Sequence, residues 1–462
     1  MSFTRKMYAG KGGIKEMLVI ALPMVASFAC DVVMQFTDRI FLSRLAPEAM
    51  NAALGGGTTA LVLSYFFVGL ISFSTGLVAQ YFGAKQKNNS AKVLTQAVWL
   101  ALVAYPVILI IKPLGISLFK IMQLTDEQFF YQKQYYNILV LGSIFTLVRT
   151  AFVCFFSGIG RTRIVMQASI VTMLVNVGVN YVLIFGKLGF PEMGISGAAT
   201  GTIIATIIGV VVLAVKYLGR KNKLDFDIKH SFRFDRAITR KLFYFGTPQG
   251  VEMFVNMLAF NLLIFIFQSQ GNVISTAITI TFNWDYISFF PLIGIEVAIT
   301  SLVGKYMGAG KVKLAVKSAF SGLTAGIIYS FVCFLFFVFM PEILVRVFKT
   351  AGESGVFEQA IPLAKRMVQL AALYVMFDAV MVCFIGALRG AGDTHWTMWA
   401  SIATHWIMVI TAYLMFNVFK FDVVSVWLSV VVIVIIFAFA LFVRFRRGRW
   451  KNIRMIDEIA AP

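Results

Sequence analysis

Apolar residues in this chain come in long unbroken runs instead of alternating with polar ones. About twelve such runs of roughly 20 residues or more are separated by short polar breaks. As α-helix a run of that length covers the ~30 Å hydrocarbon of a bilayer, and helix satisfies every backbone N–H and C=O internally where no water is at hand. The pattern predicts spans at 14–42, 50–79, 92–118, 132–158, 163–186 and 194–219, then at 240–268, 275–303, 313–340, 360–388, 396–418 and 422–445. The expected fold is an all-α integral membrane protein with twelve transmembrane helices in two six-helix lobes.

The halves are related. Gly158-Ile-Gly-Arg-Thr162 followed by Met166-Gln-Ala-Ser-Ile-Val-Thr172 matches Gly390-Ala-Gly-Asp-Thr394 followed by Met398-Trp-Ala-Ser-Ile-Ala-Thr404, an offset of 232 residues. Leu77-Val-Ala-Gln-Tyr-Phe-Gly-Ala84 matches Leu302-Val-Gly-Lys-Tyr-Met-Gly-Ala309 at an offset of 225, which also relates Pro23 to Pro248. The growth of the offset places about seven extra residues between Gly308 and Gly390, most naturally in the outer stretch 341–359. Six helices per half put both lobe starts on one side, so the repeats are parallel, and weak repeats of this kind in a membrane chain mark a secondary transporter with its site between the halves.

Composition agrees: 59% of residues are hydrophobic and 13% charged. The net charge of +20 does not imply nucleic acid, because the basic residues sit in alternate loops. Arg5, Lys6 and Lys11 precede the first helix and Lys15 opens it, Lys85 and Lys87 follow the second, Arg161 and Arg163 the fourth, eight basic residues join the sixth to the seventh, and Arg444 to Arg454 form a basic tail. Both termini are therefore expected in the cytoplasm of a bacterial inner membrane, with anionic lipid as a secondary partner of the inner loops. The expected organisation is a first lobe at 1–219, a linker at 220–239, a second lobe at 240–446 and a tail at 447–462. The first apolar run is too long for a cleavable signal and is expected to remain as a helix. Cys30, Cys154, Cys333 and Cys383 lie within spans at no metal-ligand spacing, and of three histidines only His405 falls in a span, where packing is favoured over proton carriage.

Ionisable groups at bilayer depth cost several kcal/mol, roughly 2.5 or more, and persist where they face a cavity or a partner. Asp31 and Asp38 lie nearly two turns apart on the first helix; Asn176 and Asn180 share a face of the fifth, and Thr202 follows on the sixth. Asp38, Asn176, Asn180 and Thr202 are read as one oxygen-rich cation-coupling group. A carboxylate with neutral oxygens suits a small hard cation such as sodium, and a desolvated carboxylate equally suits a proton. Asp31, Glu252, Asn256, Asp285, Glu296 and Asp378 are candidates for substrate binding or second-lobe coupling, with Glu252 favoured and Asp285 and Glu296 open to pairing with a basic residue. No other metal and no cofactor is expected. The 46 Phe and 21 Met allow an adaptable apolar cavity for organic cations. The glycine pairs follow no strand, so they shape turns and do not cradle phosphate.

These residues resemble the multidrug and toxic compound extrusion family over nearly the whole chain. Phe36-Thr-Asp-Arg-Ile-Phe-Leu-Ser-Arg-Leu45 is similar to the family's acid-bearing first helix, Leu388-Arg-Gly-Ala-Gly-Asp-Thr394 to its second-lobe motif, and Gly197-Ala-Ala-Thr-Gly-Thr202 to the start of its sixth helix. The resemblance implies alternating access and export of drugs or metabolites driven by sodium or protons, by a monomer, with Asp38, Asn176 and Thr202 at cation-site positions and Asp378 at the acid of helix ten in the NorM-like branch. Asn180 stands where another branch has an aspartate, and Asn256 where the NorM-like branch has a glutamate, with Glu252 one turn earlier. A flippase for lipid-linked sugars or a dedicated metabolite exporter is the neighbouring alternative. A membrane enzyme is not expected, since no nucleophile and base converge.

Overall fold

A computed structural model describes residues 10–45, 47–121, 124–349 and 355–456. Among them twelve helices are long and apolar enough to cross a membrane: α1 (Ile14–Ser43), α2 (Ala49–Gly83), α3 (Lys87–Ile121), α4 (Asp126–Gly158), α5 (Thr162–Phe185), α6 (Gly194–Tyr217), α7 (Arg236–Gln268), α8 (Asn272–Gly308), α9 (Val312–Phe339), α10 (Gly355–Ala391), α11 (Thr394–Val418) and α12 (Val423–Arg447). No strand occurs among the described residues. Every predicted span is present, and half of them run a turn or so past their apolar segment because polar residues continue the helix into the interface. Asp126 and Glu127, which the sequence places in an outer loop, form the first turn of α4, where Thr125 accepts from the Gln128 N–H at 3.3 Å and acids suit the helix dipole. The stretch expected to hold the second-half insertion opens with a short helix, Pro341–Arg346; residues 350–354 lie outside the described residues.

The repeat is geometric as well as textual. After α2, Lys85 N–H bonds to Phe82 C=O and Gln86 N–H to Tyr81 C=O; after α8, Gly310 bonds to Met307 and Lys311 to Tyr306. Lys85 (φ 62°) and Gly310 (φ 69°) occupy the same left-handed position. After α4 and α10 the turns coincide again, Gly160 to Ser157 and Arg161 to Phe156 matching Gly392 to Arg389 and Asp393 to Leu388.

The described residues divide into two compact units, one of residues 26–254 with 455–456, the other of residues 10–25 and 255–454. This differs from a boundary in the 220–239 linker. The crossings lie inside α1 and α7, just beyond Pro23 and Pro248, where the missing N–H interrupts the helix ladder. Glycines explain why the leading halves are exchanged. On α7, a Cβ at Gly250 would stand 2.4 Å from the Phe66 carbonyl of α2, and one at Gly69 on α2 would stand 2.8 Å from Gly250 Cα. Gly294 of α8, 225 residues after Gly69, receives Val25 of α1 in the same way, at 2.7 Å. Within the second unit α8 and α10 share the most extensive interface, with Gly386 and Gly390 letting α10 reach the Glu296 and Thr300 backbone.

Candidate functional site

In the first unit α5 and α6 approach closely through Gly197 and Gly201, which stand one turn apart on α6. A Cβ at Gly197 would lie 2.7 Å from the Leu183 backbone, and one at Gly201 would fall 1.8 Å from Asn180 Oδ1. Gly201 thus makes the space in which the Asn180 amide sits. This role is not evident from the pattern of acids and amides, although the Gly-x-x-x-Gly spacing is visible in the sequence.

Into this gap α1 presents Asp38, 9% exposed, while Asn176 and Asn180 are fully buried. Asn180 Nδ2 donates to Asp38 Oδ1 at 2.5 Å, and Asn176 Nδ2 donates to Thr202 Oγ1 at 3.3 Å. Thr202 has one hydroxyl proton and two acceptors, the Ala198 carbonyl at 2.9 Å and Asp38 Oδ2 at 3.4 Å. The shorter bond takes the proton, so Oδ2 is weakly satisfied. The Oδ1 atoms of Asn176 and Asn180 are buried with no donor among the described residues. Leaving a buried acceptor unpaired costs about 1–3 kcal/mol. Three under-coordinated oxygens on three different side chains, one of them the carboxylate's own, are what a bound cation would satisfy. On the same helices Phe41, Tyr181 and Phe185 pack ring to ring, with centroids 5.6 to 6.1 Å apart.

The remaining candidates do not join this group. Asp31 receives Arg149 Nη2 at 3.2 Å, and the same nitrogen lies 3.0 Å from Ser169 Oγ. Glu252, expected in the second lobe, is 2% exposed and belongs to the unit of residues 26–254, because α7 crosses over only after Phe254. In the other unit, Asn256 donates to Ser401 Oγ at 2.7 Å, and its Oδ1 is buried without a partner. Asp285 accepts the Tyr374 hydroxyl at 2.8 Å, and one turn beyond Tyr374 stands Asp378, 5% exposed and within electrostatic range of Asp285. Glu296 is held by Arg389 Nη1 at 2.6 Å, the pairing with a basic residue left open to it from sequence. Nδ1 of His405 lies 2.8 Å from the Ser401 carbonyl, a backbone contact one turn back on its own helix. Arg149, Arg389 and Tyr374 are the polar partners that sequence reading did not name.

The family model described as MatE matches the chain twice, over residues 23–182 and 248–414, and the two matches begin at the two repeat-related prolines. The chain belongs to the MatE family. Both the resemblance and the duplication read from sequence are borne out, and MatE proteins are transporters. The chain is 26% identical over 444 residues to a probable multidrug resistance protein NorM of Thermotoga maritima, covering 95% of this chain and 93% of that one. It is 25% identical over 402 residues to the multidrug resistance protein MdtK of Yersinia pseudotuberculosis, covering 85% of each. Among solved structures it is similar to a MOP superfamily transporter from Pyrococcus furiosus, with TM-score 0.87 at 18% identity over 98% of this chain and 100% of that one. An outward-facing multidrug resistance MATE family transporter matches with TM-score 0.86 at the same identity and coverage. Those likenesses establish the twelve-helix, two-lobe MatE fold.

Proposed function

We propose that this MatE protein is a cation-coupled antiporter of the bacterial inner membrane that exports small, lipophilic organic cations from the cytoplasm by alternating access. What supports this most is the Asp38 group: one buried carboxylate, no basic residue hydrogen-bonded to it among the described residues, and two orphaned amide oxygens beside it. An isolated charge in an apolar lobe is costly and ordinarily disappears by protonation or by binding a cation. Sodium would take Asp38 Oδ2, Asn176 Oδ1, Asn180 Oδ1 and Thr202 Oγ1 as hard oxygen ligands. A proton would go to Oδ2, the oxygen that lacks a close donor. Either ion shifts the conformational equilibrium only by its differential affinity for the two states. Asn180 on α5 and Thr202 on α6 must therefore close on Asp38 to different extents in the two. The names of the relatives support drugs as the exported class, and the buried Asp285, Tyr374 and Asp378 in the second lobe are suited to meet cationic cargo or a second coupling ion.

The test is efflux of a fluorescent organic cation from reconstituted vesicles, with sodium and proton gradients imposed separately. One of the two gradients should drive efflux, and Asp38→Asn should abolish the gradient-dependent part while leaving the protein folded. Equal gradient-driven flux in parent and Asp38→Asn would sink the assignment of coupling to this group.

A further inference from the structure

The connection between α6 and α7 is built, not slack. Phe226 and Ile228 are buried at 1% and 2% exposure, and Phe226 packs on the rings of Phe82 and Phe155 at 6.3 and 5.3 Å. Asn222 accepts Arg161 Nη1 at 2.6 Å and donates to the Lys216 carbonyl at 2.8 Å. All three carboxylates of the segment are spent internally. Asp225 lies 3.7 Å from Lys87 and 4.0 Å from Arg161. Asp227 is met by Asn88 and His230 at 3.0 and 2.7 Å. Asp235 takes Lys92 at 3.2 Å and caps α7 through the Ala237 and Ile238 N–H groups.

With the acids consumed, the outward surface is cationic and greasy. Lys221, Lys223, Lys229, Arg233, Arg236 and Arg240 are exposed, and none forms an ion pair among the described residues. Between them stand Leu224, Phe232 and Phe234 at 79%, 57% and 67% exposure. On the first turns of α7 a groove of about 960 Å³ is lined by Arg236, Thr239 and Arg240 together with Phe243, Tyr244 and Phe245. Residues 218–235 run between two membrane spans, so this surface stays within a short reach of the headgroups. Large apolar side chains bared beside unpaired cations are wasteful in water and favourable at an anionic lipid interface.

We infer that residues 220–244 form a docking platform for anionic phospholipids of the adjoining leaflet, with a phosphodiester headgroup at Arg236 and Arg240 and with Phe232 and Phe234 seated at the acyl boundary. The full-length protein in nanodiscs of phosphatidylcholine doped with phosphatidylglycerol is the system for the test, read as phosphatidylglycerol retained per protein after detergent extraction. Retention should exceed that of phosphatidylcholine and fall with salt, and R233Q/R236Q/R240Q should lower it by about tenfold or more. F232S/F234S should lower it less, and K311Q/K313Q/K420Q, with the same charge change elsewhere, should leave it unchanged. Wild-type retention by either platform variant, or an equal loss in the control, overturns the proposal. Displacement of the lipid by an equal concentration of glycerol phosphate would show a site for soluble phosphate and overturn it as well.

Discussion

Among the described residues Asp38 in the first lobe hydrogen-bonds with neutral groups, the Asn180 amide and the Thr202 hydroxyl, whereas Glu296 in the second meets the Arg389 guanidinium and Asp393 the two-pronged fork of Arg444 at 2.8 and 3.0 Å. The difference separates a buried acid held by neutral groups from acids held by a fixed cation. Anchoring positions show how freely a structural charge can change sign. Arg161, bound to Asn222, stands 232 residues before Asp393, bound to Arg444. At the start of α1, Glu16 takes Lys305 at 2.9 Å and the Tyr306 hydroxyl at 2.6 Å; its repeat partner at the start of α7 is Lys241, which lies over the Tyr81 ring at 5.9 Å. An anchor needs only complementarity, so the duplicated scaffold kept a polar anchor at each of these positions and reversed its charge.

The largest effect that could break this comparison comes from removing the fixed cation. Arg389→Met removes the guanidinium that holds Glu296, whose side chain is 16% exposed, and should destabilise the protein by about 3 kcal/mol. The double variant Arg389→Met, Glu296→Gln should recover most of that. Asp38→Asn should leave thermal stability unchanged or raised, because it deletes a buried charge that has no counter-charge. Melting curves in one detergent decide the matter: a loss at Asp38→Asn as large as at Arg389→Met would place Asp38 among the structural pairs.

A narrower break is Gly201→Ala. The new methyl must displace Asn180 Oδ1, from which it would stand only 1.8 Å, at a cost of about 1–3 kcal/mol. Gradient-driven efflux should fall well below the parent's at equal expression. Gly178→Ala, at a glycine of α5 whose Cβ would meet nothing within 4 Å, is the control. Normal coupling in Gly201→Ala would mean that the Asn180 amide can move without consequence for the cation.

Much of this was legible in the sequence, and the rest was hidden for physical reasons. Span boundaries were readable because hydrocarbon thickness sets helix length. The Asp38 group was readable because Asn176 and Asn180 stand one turn apart and the α6 motif puts Thr202 nearby. The ion pairs were not, since Arg149 is 118 residues from Asp31 and Arg389 is 93 from Glu296, and nothing local marks such partners. The exchange of half-helices left no mark in composition, which is why Glu252 went to the wrong side of the crossing. Its trace was the glycine register, Gly69 and Gly294 at the same 225-residue offset as the prolines.

The smallest predicted effect compares how the sixth helix of each lobe begins. α6 starts after Met193, which offers no side-chain cap, whereas α12 starts after Asp422, whose Oδ2 accepts from the Val424 and Ser425 N–H groups at 3.0 and 3.2 Å and whose Oδ1 accepts the Ser425 hydroxyl at 2.6 Å. The Ser425 hydroxyl bond, then the backbone bonds, hold the Asp422 carboxyl below its usual 3.8. A folded-state value below the unfolded one means that the cap stabilises above pH 3.8 and that the contribution is lost as pH falls through the lowered value. Asp422→Ala should therefore cost about 0.5–1 kcal/mol at pH 7, with no trend between pH 5 and 8 and a shrinking gap to the parent below pH 4. Met193→Asp, which offers α6 the cap it lacks, should raise stability by a similar amount if the two helix starts differ only in that side chain. No gain there would mean that the Gly194 turn, at φ 52°, holds α6 in a geometry that a carboxylate cannot reach.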